Sequence, residues 1–286
     1  MSPKRSRNAP RPTPFLKWAG GKGQLVPELL QRLPARFGAY HEPFVGGGAL
    51  FFALAREGRL KGKQAFLSDA NPELIQTYQA IKDDVEAVIA ELKKHRHDRE
   101  EFYRVRERDW RTLPPPTAAA RMIYLNHTGF NGLYRVNRSG KFNVPFGRHK
   151  NPRLCDEDNL RAVSLTLKAV DLAPETFDAV LSRAHKGDLV YFDPPYVPLS
   201  DTAYFVSYAR GGFSMDDQEQ LAKTFEALKR KGVRVMLSNS AAPWVRERYR
   251  RHHLAEVLAR RNVNSRADRR GKIPELVVTS YPVREG

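Results

Sequence analysis

Residues 188–196 read DLVYFDPPY, and this stretch decides how the rest of the chain is interpreted. Its first half contains the short apolar run LVYF, which predicts a buried strand of a parallel sheet. The run ends at Asp193, where two consecutive prolines cannot continue the ladder because proline lacks an N–H and has a fixed φ. Ligands bind at the ends of strands in open α/β sheets. The stretch therefore predicts a rigid arm at a binding site, with the carboxylate of Asp193 before it and the ring of Tyr196 after it.

A glycine-rich segment earlier in the chain predicts a nucleotide-type cofactor site. Residues 40–56 read YHEPFVGGGALFFALAR, which predicts a short strand, a tight turn at the glycines and a helix. Asp69 ends the next predicted strand about 20 residues later, the separation at which an acidic residue reaches the ribose hydroxyls of a bound nucleotide. The glycines do not follow G-x-G-x-x-G, which disfavours a dinucleotide that carries hydride. The alternative is that Asp69 only caps the helix that follows it.

Composition and charge narrow the class of protein. The chain has 286 residues, of which 41% are hydrophobic, enough for one large α/β domain with an insertion. Its formal net charge of +17 predicts a polyanionic partner, with nucleic acid the leading candidate. No apolar run approaches the roughly 20 residues that span a bilayer, so we expect a soluble intracellular protein. Cys155 is the single cysteine, which argues against internal disulfides, a cysteine zinc site and a cysteine nucleophile.

The segment between the two motifs has a different pattern. Helical periodicity extends from residue 71 to about residue 125, and residues 127–148 then read HTGFNGLYRVNRSGKFNVPFGR. Basic and aromatic residues alternate there, and NRSGK has the composition of a hairpin turn. This predicts a basic β-hairpin suited to a DNA groove. The alternative is a solvated hairpin whose aromatic rings form a local core. After residue 152 the α/β pattern resumes, with a helix expected over residues 174–184.

Five motifs occur in the order and spacing of one family. They are KWAGGK (residues 17–22), EPFVGGG (42–48), the strand-end Asp69, TGFNGLYRVN with FNVPFG (128–147) and DPPY (193–196). With these motifs the chain resembles the Dam-type DNA adenine-N6 methyltransferases (D12 class, alpha group) over residues 15–281. The resemblance implies an α/β fold, a Rossmann-like and mostly parallel S-adenosylmethionine-binding sheet with an inserted helical and β-hairpin DNA-recognition domain.

The resemblance also implies a domain plan and an activity. Residues 1–13 would be a basic disordered tail, residues 14–70 and 153–286 the catalytic domain, and residues 71–152 the target-recognition domain. The implied reaction is methyl transfer from S-adenosylmethionine to N6 of a flipped adenine in double-stranded DNA, within GATC, as in restriction-modification systems. We expect a protein that binds no metal and no membrane and that acts in the bacterial cytoplasm or nucleoid. We expect it to be a monomer, and a dimer on DNA stays open. The alternatives are a cytosine-N4 methyltransferase of the same fold, methylation of RNA or a glutamine amide, and a non-catalytic nucleic-acid-binding relative.

By the same resemblance, the site residues fall into three groups. The catalytic group is the D-P-P-Y motif, namely Asp193, Pro194, Pro195 and Tyr196. The positions expected to line the cofactor are Trp18, Lys22, Phe44, Gly46, Gly48, Asp69 and Asp193. The positions expected to approach DNA are Lys17, Phe130, Asn131, Leu133, Arg135, Asn137 and Pro145. Position 130 is Phe where some relatives have Tyr, which keeps stacking and loses a hydroxyl contact.

Overall fold

The contacts of the chain divide it into two compact units. The computed structural model describes residues 11–18, 23–199, 213–260 and 272–283. The sheet unit consists of Lys22–Gly46, Leu60–Asn71 and Val170–Gly286, and the helical unit of Met1–Gly21, Gly47–Arg59 and Pro72–Ala169. These divisions fall at other residues than the domain boundaries expected above, which stay a prediction.

The sheet unit contains a seven-stranded sheet among its described residues. The strands are β1 (Tyr40–Glu42), β2 (Ala65–Asp69), β3 (Val170–Pro174), β4 (Leu189–Phe192), β5 (Arg234–Ser240), β6 (His253–Arg260) and β7 (Lys272–Thr279). Their order is β3-β2-β1-β4-β5-β7-β6. Strands β1 to β5 pair in parallel, and β7 runs antiparallel to both β5 and β6. The expected α/β fold with a mostly parallel sheet is confirmed.

The described α-helices are distributed over both units. The sheet unit contains α1 (Val26–Gln31), α8 (Val180–Arg183), α9 (Met215–Arg230) and α10 (Pro243–Arg248). The helical unit contains α2 (Ala49–Arg56), α3 (Pro72–Asp83), α4 (Val85–Leu92), α5 (Arg99–Glu107), α6 (Pro115–Thr128) and α7 (Glu157–Leu167). None of the helices in the described part of the chain has the length and apolarity that a membrane crossing requires.

Apolar periodicity explains how the sheet unit packs. All four residues of β4 are buried, as expected of a strand covered on both faces. Helix α9 presents Leu221, Phe225 and Leu228 to a core shared with β4, β5 and β7. The helix begins with a capping box, in which the side chain of Ser214 accepts from the N–H of Asp217 and the Asp217 carboxylate accepts from the N–H of Ser214.

The strand order reverses at one place in the sheet. β1 pairs with β2 on one side and with β4 on the other. A crevice forms at the carboxyl ends of the two strands that flank such a switch point, and ligands of open α/β sheets bind there. The D-P-P-Y motif begins directly after β4, so it leaves the sheet at this point.

The helical unit is organised around α6, most of whose residues are buried. Helices α3, α4 and α5 pack against it. The helices predicted between residues 71 and 125 are therefore confirmed. Of the predicted tail, residues 1–10 lie outside the described residues. Arg56 donates to the carbonyl oxygen of Pro12 at 2.8 Å, and the N–H of Thr13 donates to Oδ1 of Asn159 at 2.9 Å.

Two expectations from the sequence need correction. The predicted β-hairpin has only isolated bridges, Gly129↔Phe146 and Val136↔Phe142, instead of continuous strands. Asn131 has a φ of 55° and Gly132 a φ of 63°, and left-handed backbone cannot continue a ladder. The helix predicted over residues 174–184 is α8 alone, preceded by the 3₁₀ turn Phe177–Ala179. Strand β6 and helix α10 were not predicted.

Candidate active site and nucleic-acid interface

The D-P-P-Y motif forms a short arm at the carboxyl end of β4. We call residues 193–197 the D-P-P-Y arm. Asp193 is half-buried, Pro194 is buried and Pro195 is exposed. The two prolines restrict their own φ angles, so the arm keeps one direction as it leaves the sheet. The arrangement holds the carboxylate of Asp193 and the backbone carbonyls that follow it at a fixed place in the crevice.

Three buried polar side chains fix the arm from the sheet unit. We call Gln218 on α9 with Asn239 and Ser240 on β5 the arm clamp. Gln218 Nε2 donates to the carbonyl oxygen of Pro195 at 2.7 Å, and Asn239 Oδ1 accepts from the N–H of Val197 at 3.0 Å. Ser240 Oγ donates to the carbonyl oxygen of Val197 at 2.6 Å. Asn239 Nδ2 also donates to Gln218 Oε1 at 3.2 Å, so the clamp is one connected network.

The last residue of the motif has its own anchor. The hydroxyl of Tyr196 donates to Glu275 Oε2 on β7 at 2.7 Å. Burial raises the pKa of Tyr196, and the negative charge of Asp193 acts in the same direction. The phenol therefore stays protonated and remains a hydrogen-bond donor to Glu275. This bond restrains the aromatic ring next to the catalytic candidate.

A second layer of polar groups lies close to Asp193 in the sheet. Tyr40 donates to Glu42 Oε2 at 2.8 Å, and the hydroxyls of Tyr191 and Ser238 lie 2.8 Å apart. Burial raises the pKa of Tyr40 and of Tyr191, and the charges of Glu42 and Asp193 raise both further. These phenols therefore stay protonated and neutral beside the acidic groups.

The carboxyl ends of β1 and β2 bring two predicted cofactor residues, Gly46 and Asp69, into contact. Gly46 has a φ of 46°, and its N–H donates to Asp69 Oδ2 at 3.1 Å. Asp69 Oδ1 accepts from the N–H of Asn71 at 3.0 Å. Burial raises the pKa of Asp69, while the N–H groups of Asn71 and Gly46 act in the opposite direction. The structure therefore joins the glycine loop to the strand-end carboxylate, as the strand–helix–strand spacing predicts.

Phe44 lies in an aromatic group at the same end of the sheet. Its ring stacks on Phe177 with centroids 5.5 Å apart, and it meets Phe213 edge-to-face at 5.6 Å. Phe192, the last residue of β4, lies 6.2 Å away. The aromatic group is partly buried, so it can offer ring surface to a flat ligand.

The remaining cofactor candidates belong to the helical unit or are not described. Gly48 directly precedes α2 and has a φ of 66°, and a Cβ there would lie 2.9 Å from the hydroxyl oxygen of Tyr78. The position therefore requires glycine for both its backbone angle and its space. Trp18 stacks on Tyr134 with ring centroids 5.3 Å apart. Lys22 lies outside the described residues.

The positions expected to approach DNA share one part of the helical unit. We call residues 129–147 the recognition segment. Asn126 on α6 connects this segment to Lys17, because its Oδ1 accepts from Lys17 N at 2.8 Å and its Nδ2 donates to the carbonyl oxygens of Lys17 at 2.8 Å and Gly132 at 2.9 Å. A Cβ on Gly132 would lie 2.7 Å from Lys17 Cβ. Leu133 is half-buried, and the other six candidates are exposed, namely Lys17, Phe130, Asn131, Arg135, Asn137 and Pro145.

Internal hydrogen bonds already orient two of these side chains. Arg135 Nε donates to Asn143 Oδ1 at 2.7 Å, and Nη2 donates to the carbonyl oxygen of Asn143 at 3.2 Å. Asn137 Oδ1 accepts from Ser139 N and Lys141 N, both at 3.0 Å, so its side chain forms the turn of the segment. Phe130 is 46% exposed, which is unusual for a phenylalanine and suits a ring that contacts a base.

Sequence reasoning missed the residues that hold the site in place. Gln218 lies on the apolar stripe of α9, three residues before Leu221, and is 2% exposed. A polar residue on an apolar stripe was the available signal. A second signal was the polar run Ser238–Ser240 at the end of an apolar strand. No comparable signal marks Glu275, whose partner Tyr196 is far away in the chain.

Comparisons with known proteins agree on one family. Residues 18–263 match the family described as D12 class N6 adenine-specific DNA methyltransferase. A type II methyltransferase of Lactococcus lactis subsp. cremoris is 42% identical over 94% of this chain and 95% of that protein. A type II methyltransferase of Methanocaldococcus jannaschii is 39% identical over 94% of this chain and 99% of that protein. A DNA adenine methylase of Escherichia coli (strain K12) is 34% identical over 94% of this chain and 95% of that protein.

Proposed function

The chain belongs to the D12 class of N6 adenine-specific DNA methyltransferases, and on this basis we propose its cofactor, its mechanism and its target. The protein transfers a methyl group from S-adenosylmethionine to N6 of an adenine that has been flipped out of duplex DNA, within the sequence GATC. The observation that carries this proposal is the D-P-P-Y arm, which starts at the switch point of the sheet and is held by the arm clamp.

The arm supplies the two acceptors that the reaction needs. The lone pair of adenine N6 is delocalised into the ring, so the amino group is a poor nucleophile. Asp193 accepts one N6–H, and the carbonyl oxygen of Pro194 accepts the other. These two hydrogen bonds move the nitrogen towards tetrahedral geometry and make its lone pair available to the methyl group that the cofactor would supply. The proton that N6 loses as the N–CH3 bond forms would pass to Asp193 along the hydrogen bond between them. Because the prolines and the clamp fix both acceptors beforehand, the reaction does not have to order them.

The carboxyl ends of β1 and β2 fit the proposed cofactor. The carboxylate of Asp69 is suited to the ribose hydroxyls, and Gly46 has no side chain that would keep a ligand from the backbone. The rings of Phe44 and Phe177 offer surface for the adenine of the cofactor. When bound there, S-adenosylmethionine would supply an electrophilic methyl group on its sulfonium.

Base flipping follows from the geometry of duplex DNA. The amino group of adenine is buried in a base pair, so an enzyme reaches it only after the base leaves the stack. Tyr196 stacks on the flipped base, and its bond to Glu275 keeps the ring ready for that contact. Substitution of 2-aminopurine for the target adenine tests this step, because its fluorescence rises when the base leaves the stack. Because Tyr196 stacked on the flipped base would itself quench this fluorescence, the test also uses Tyr196→Ala; an unchanged signal on binding in both proteins would contradict flipping.

The proposed target rests on Lys17, Leu133 and Arg135. The resemblance of these positions to those of GATC-reading enzymes supports it. Asn126 and Gly132 hold the backbone of Lys17 next to the recognition segment that carries the other two, so all three side chains can act on one site. Arginine paired bidentately with guanine is the commonest specific contact in the major groove.

The test is incubation of the purified protein with radiolabelled S-adenosylmethionine and plasmid DNA. Nucleosides are then identified, and protected restriction sites are mapped. We expect N6-methyladenine within GATC. N4-methylcytosine would overturn the base assignment, and N6-methyladenine in another sequence would overturn only the target. DNA that binds the protein but takes up no label would overturn the catalytic proposal.

A further inference from the structure

Tyr134 lies between the two base-reading candidates of the recognition segment and has no role in the function proposed above. Its hydroxyl donates to Glu73 Oε2 at 2.7 Å. Glu73 lies in the first turn of α3, outside the recognition segment. The Tyr134 side chain thus connects the backbone that carries Leu133 and Arg135 to helix α3.

Glu73 is a rigid anchor because it forms a buried ion pair. Arg121 Nη1 lies 2.6 Å from Glu73 Oε1, and both side chains are 3% exposed. Arg121 also donates from Nε to the carbonyl oxygen of Val105 at 3.2 Å and from Nη2 to that of Arg106 at 3.0 Å. The pair therefore joins α3, α5 and α6. One carboxylate oxygen of Glu73 serves Arg121, and the other accepts from Tyr134.

The ring of Tyr134 makes contacts on its other sides. It stacks on Trp18 with centroids 5.3 Å apart and an interplanar angle of 24°. It also meets Phe142, across the recognition segment, edge-to-face at 5.8 Å. Trp18 follows Lys17, whose backbone Asn126 holds. Two side chains therefore position the three candidates for base reading: Asn126 bonds to the backbone of Lys17, and Tyr134 connects the segment that carries Leu133 and Arg135 to Glu73.

We propose that Tyr134, anchored by the Glu73–Arg121 pair, is a positioning residue that sets how strictly the enzyme discriminates between DNA sequences. This inference rests on the proposed role of Leu133 and Arg135 in reading bases. A bidentate contact discriminates against a wrong base only when the side chain is held in register with the base edge. Loosening the backbone on which Leu133 and Arg135 are carried lets both side chains adapt to a wrong base pair.

The decisive variant is Tyr134→Phe, which removes the hydroxyl and keeps the ring. The control is Tyr103→Phe on α5, where the tyrosine ring packs against Phe102 and Arg106 outside the recognition segment. The target sequence of the wild type is mapped first. Then kcat/KM is measured on duplexes with that sequence and on duplexes with one base pair changed. We expect Tyr134→Phe to lower the discrimination ratio about tenfold while kcat on the mapped sequence stays close to wild type, and Tyr103→Phe to change neither.

The outcomes separate this inference from the proposed function. Thermal unfolding of each variant is recorded, and the rates are measured at a temperature at which all proteins are folded. An unchanged ratio in Tyr134→Phe, or an equal loss of rate on every duplex, would overturn the positioning role. A wild type that methylates a sequence other than GATC would overturn only the proposed target, because the ratio is measured against whatever sequence is mapped. Tyr134→Leu also removes the stack on Trp18 and is expected to lower the ratio further.

Discussion

At the scale of single residues, Asp193 carries the chemical argument. Its carboxylate follows a fully buried strand and precedes two prolines, so its position is set by the backbone on both sides. Phosphate contacts by basic side chains supply most of the affinity of a DNA-binding protein. The chemistry and the binding should therefore be separable by mutation.

We predict that Asp193→Ala abolishes methyl transfer and leaves most of the DNA affinity. In the proposed mechanism the variant loses the acceptor for one N6–H, while the basic side chains expected to contact phosphates are unchanged. Single-turnover rates with radiolabelled cofactor and equilibrium binding by fluorescence anisotropy check the two parts separately. A parallel loss of rate and affinity would mean that Asp193 is structural.

Arg135 is the residue whose loss should affect sequence preference directly. Its guanidinium group is oriented by Asn143 before any DNA is bound, which lowers the entropy cost of a bidentate contact. We predict that Arg135→Ala relaxes the preference at one base pair by about 1–3 kcal/mol. The measurement is kcat/KM on duplexes that differ at single positions. The control is Arg138→Ala in the exposed turn, which we expect to weaken all sequences alike; the same uniform loss in Arg135→Ala would make Arg135 a phosphate contact only.

At the scale of structural elements, the arm clamp connects α9 and β5 to the chemistry. Gln218 must present an N–H donor to the carbonyl oxygen of Pro195. A carboxylate of the same size would place an oxygen against that carbonyl and repel it. Displacement of catalytic groups by about 1 Å lowers rates on the order of 100-fold.

We predict that Gln218→Glu lowers the single-turnover rate roughly 10- to 100-fold at saturating DNA, with little change in KM for DNA. The matched control is Gln220→Glu, which adds the same charge on the same helix at an exposed position. Both variants are also compared by thermal unfolding. A normal rate in Gln218→Glu would show that the arm keeps its position without this bond.

The elements also show which parts of the structure the sequence could predict. β4 and α2 depend on neighbours in the chain, and the apolar pattern of each segment predicted them correctly. The recognition segment was predicted as a regular hairpin, but a left-handed Asn131 and Gly132 allow only isolated bridges. The network of Gln218, Asn239 and Ser240 depends on contacts between distant segments, and a local pattern cannot show which partners they find.

The candidate site divides in the same way. The D-P-P-Y motif and the glycine loop with Asp69 were recognisable because a strand end and a tight turn each require particular residue types. The sequence did not reveal the anchors Glu275, Glu73 and Arg121, because each is an ordinary charged residue until its buried partner is known.

Across the molecule, the two ends of the central strands differ in the groups that they carry. The carboxyl ends of β1 and β4 lead into the glycine loop and the D-P-P-Y arm, where we propose that the reaction occurs. At the amino end of β4, Asp188 accepts hydrogen bonds from the N–H groups of Ala39 and His185, both at 2.8 Å, and its Oδ2 lies 3.2 Å from His41 Nε2. His41 is 2% exposed and stacks on Phe66. This end of the sheet therefore contains a buried imidazole, at the end of β4 opposite to the D-P-P-Y arm.

Burial lowers the pKa of His41 from its usual 6.5, and the carboxylate of Asp188 offsets only part of the shift. The unfolded chain then takes up a proton on this residue at a higher pH than the folded protein. Between pH 6.5 and the lower pKa of the folded state, falling pH favours unfolding, at about 1.4 kcal/mol for each pKa unit of difference. Above pH 6.5 the residue is neutral in both states and adds no pH dependence.

We predict that the free energy of unfolding decreases less steeply with falling pH in His41→Gln than in the wild type. Glutamine keeps an N–H that can reach Asp188 and has no proton to gain in this range. The raised pKa values of Asp69 and Glu73 add a pH dependence of opposite sign, but it is common to both proteins and cancels in the comparison. Denaturant titrations at a series of pH values from 7.5 down to about 5 measure the two slopes. His253→Gln, which changes an exposed histidine, is the control. Equal slopes for His41→Gln and the wild type would mean that His41 binds protons equally in the folded and unfolded chain.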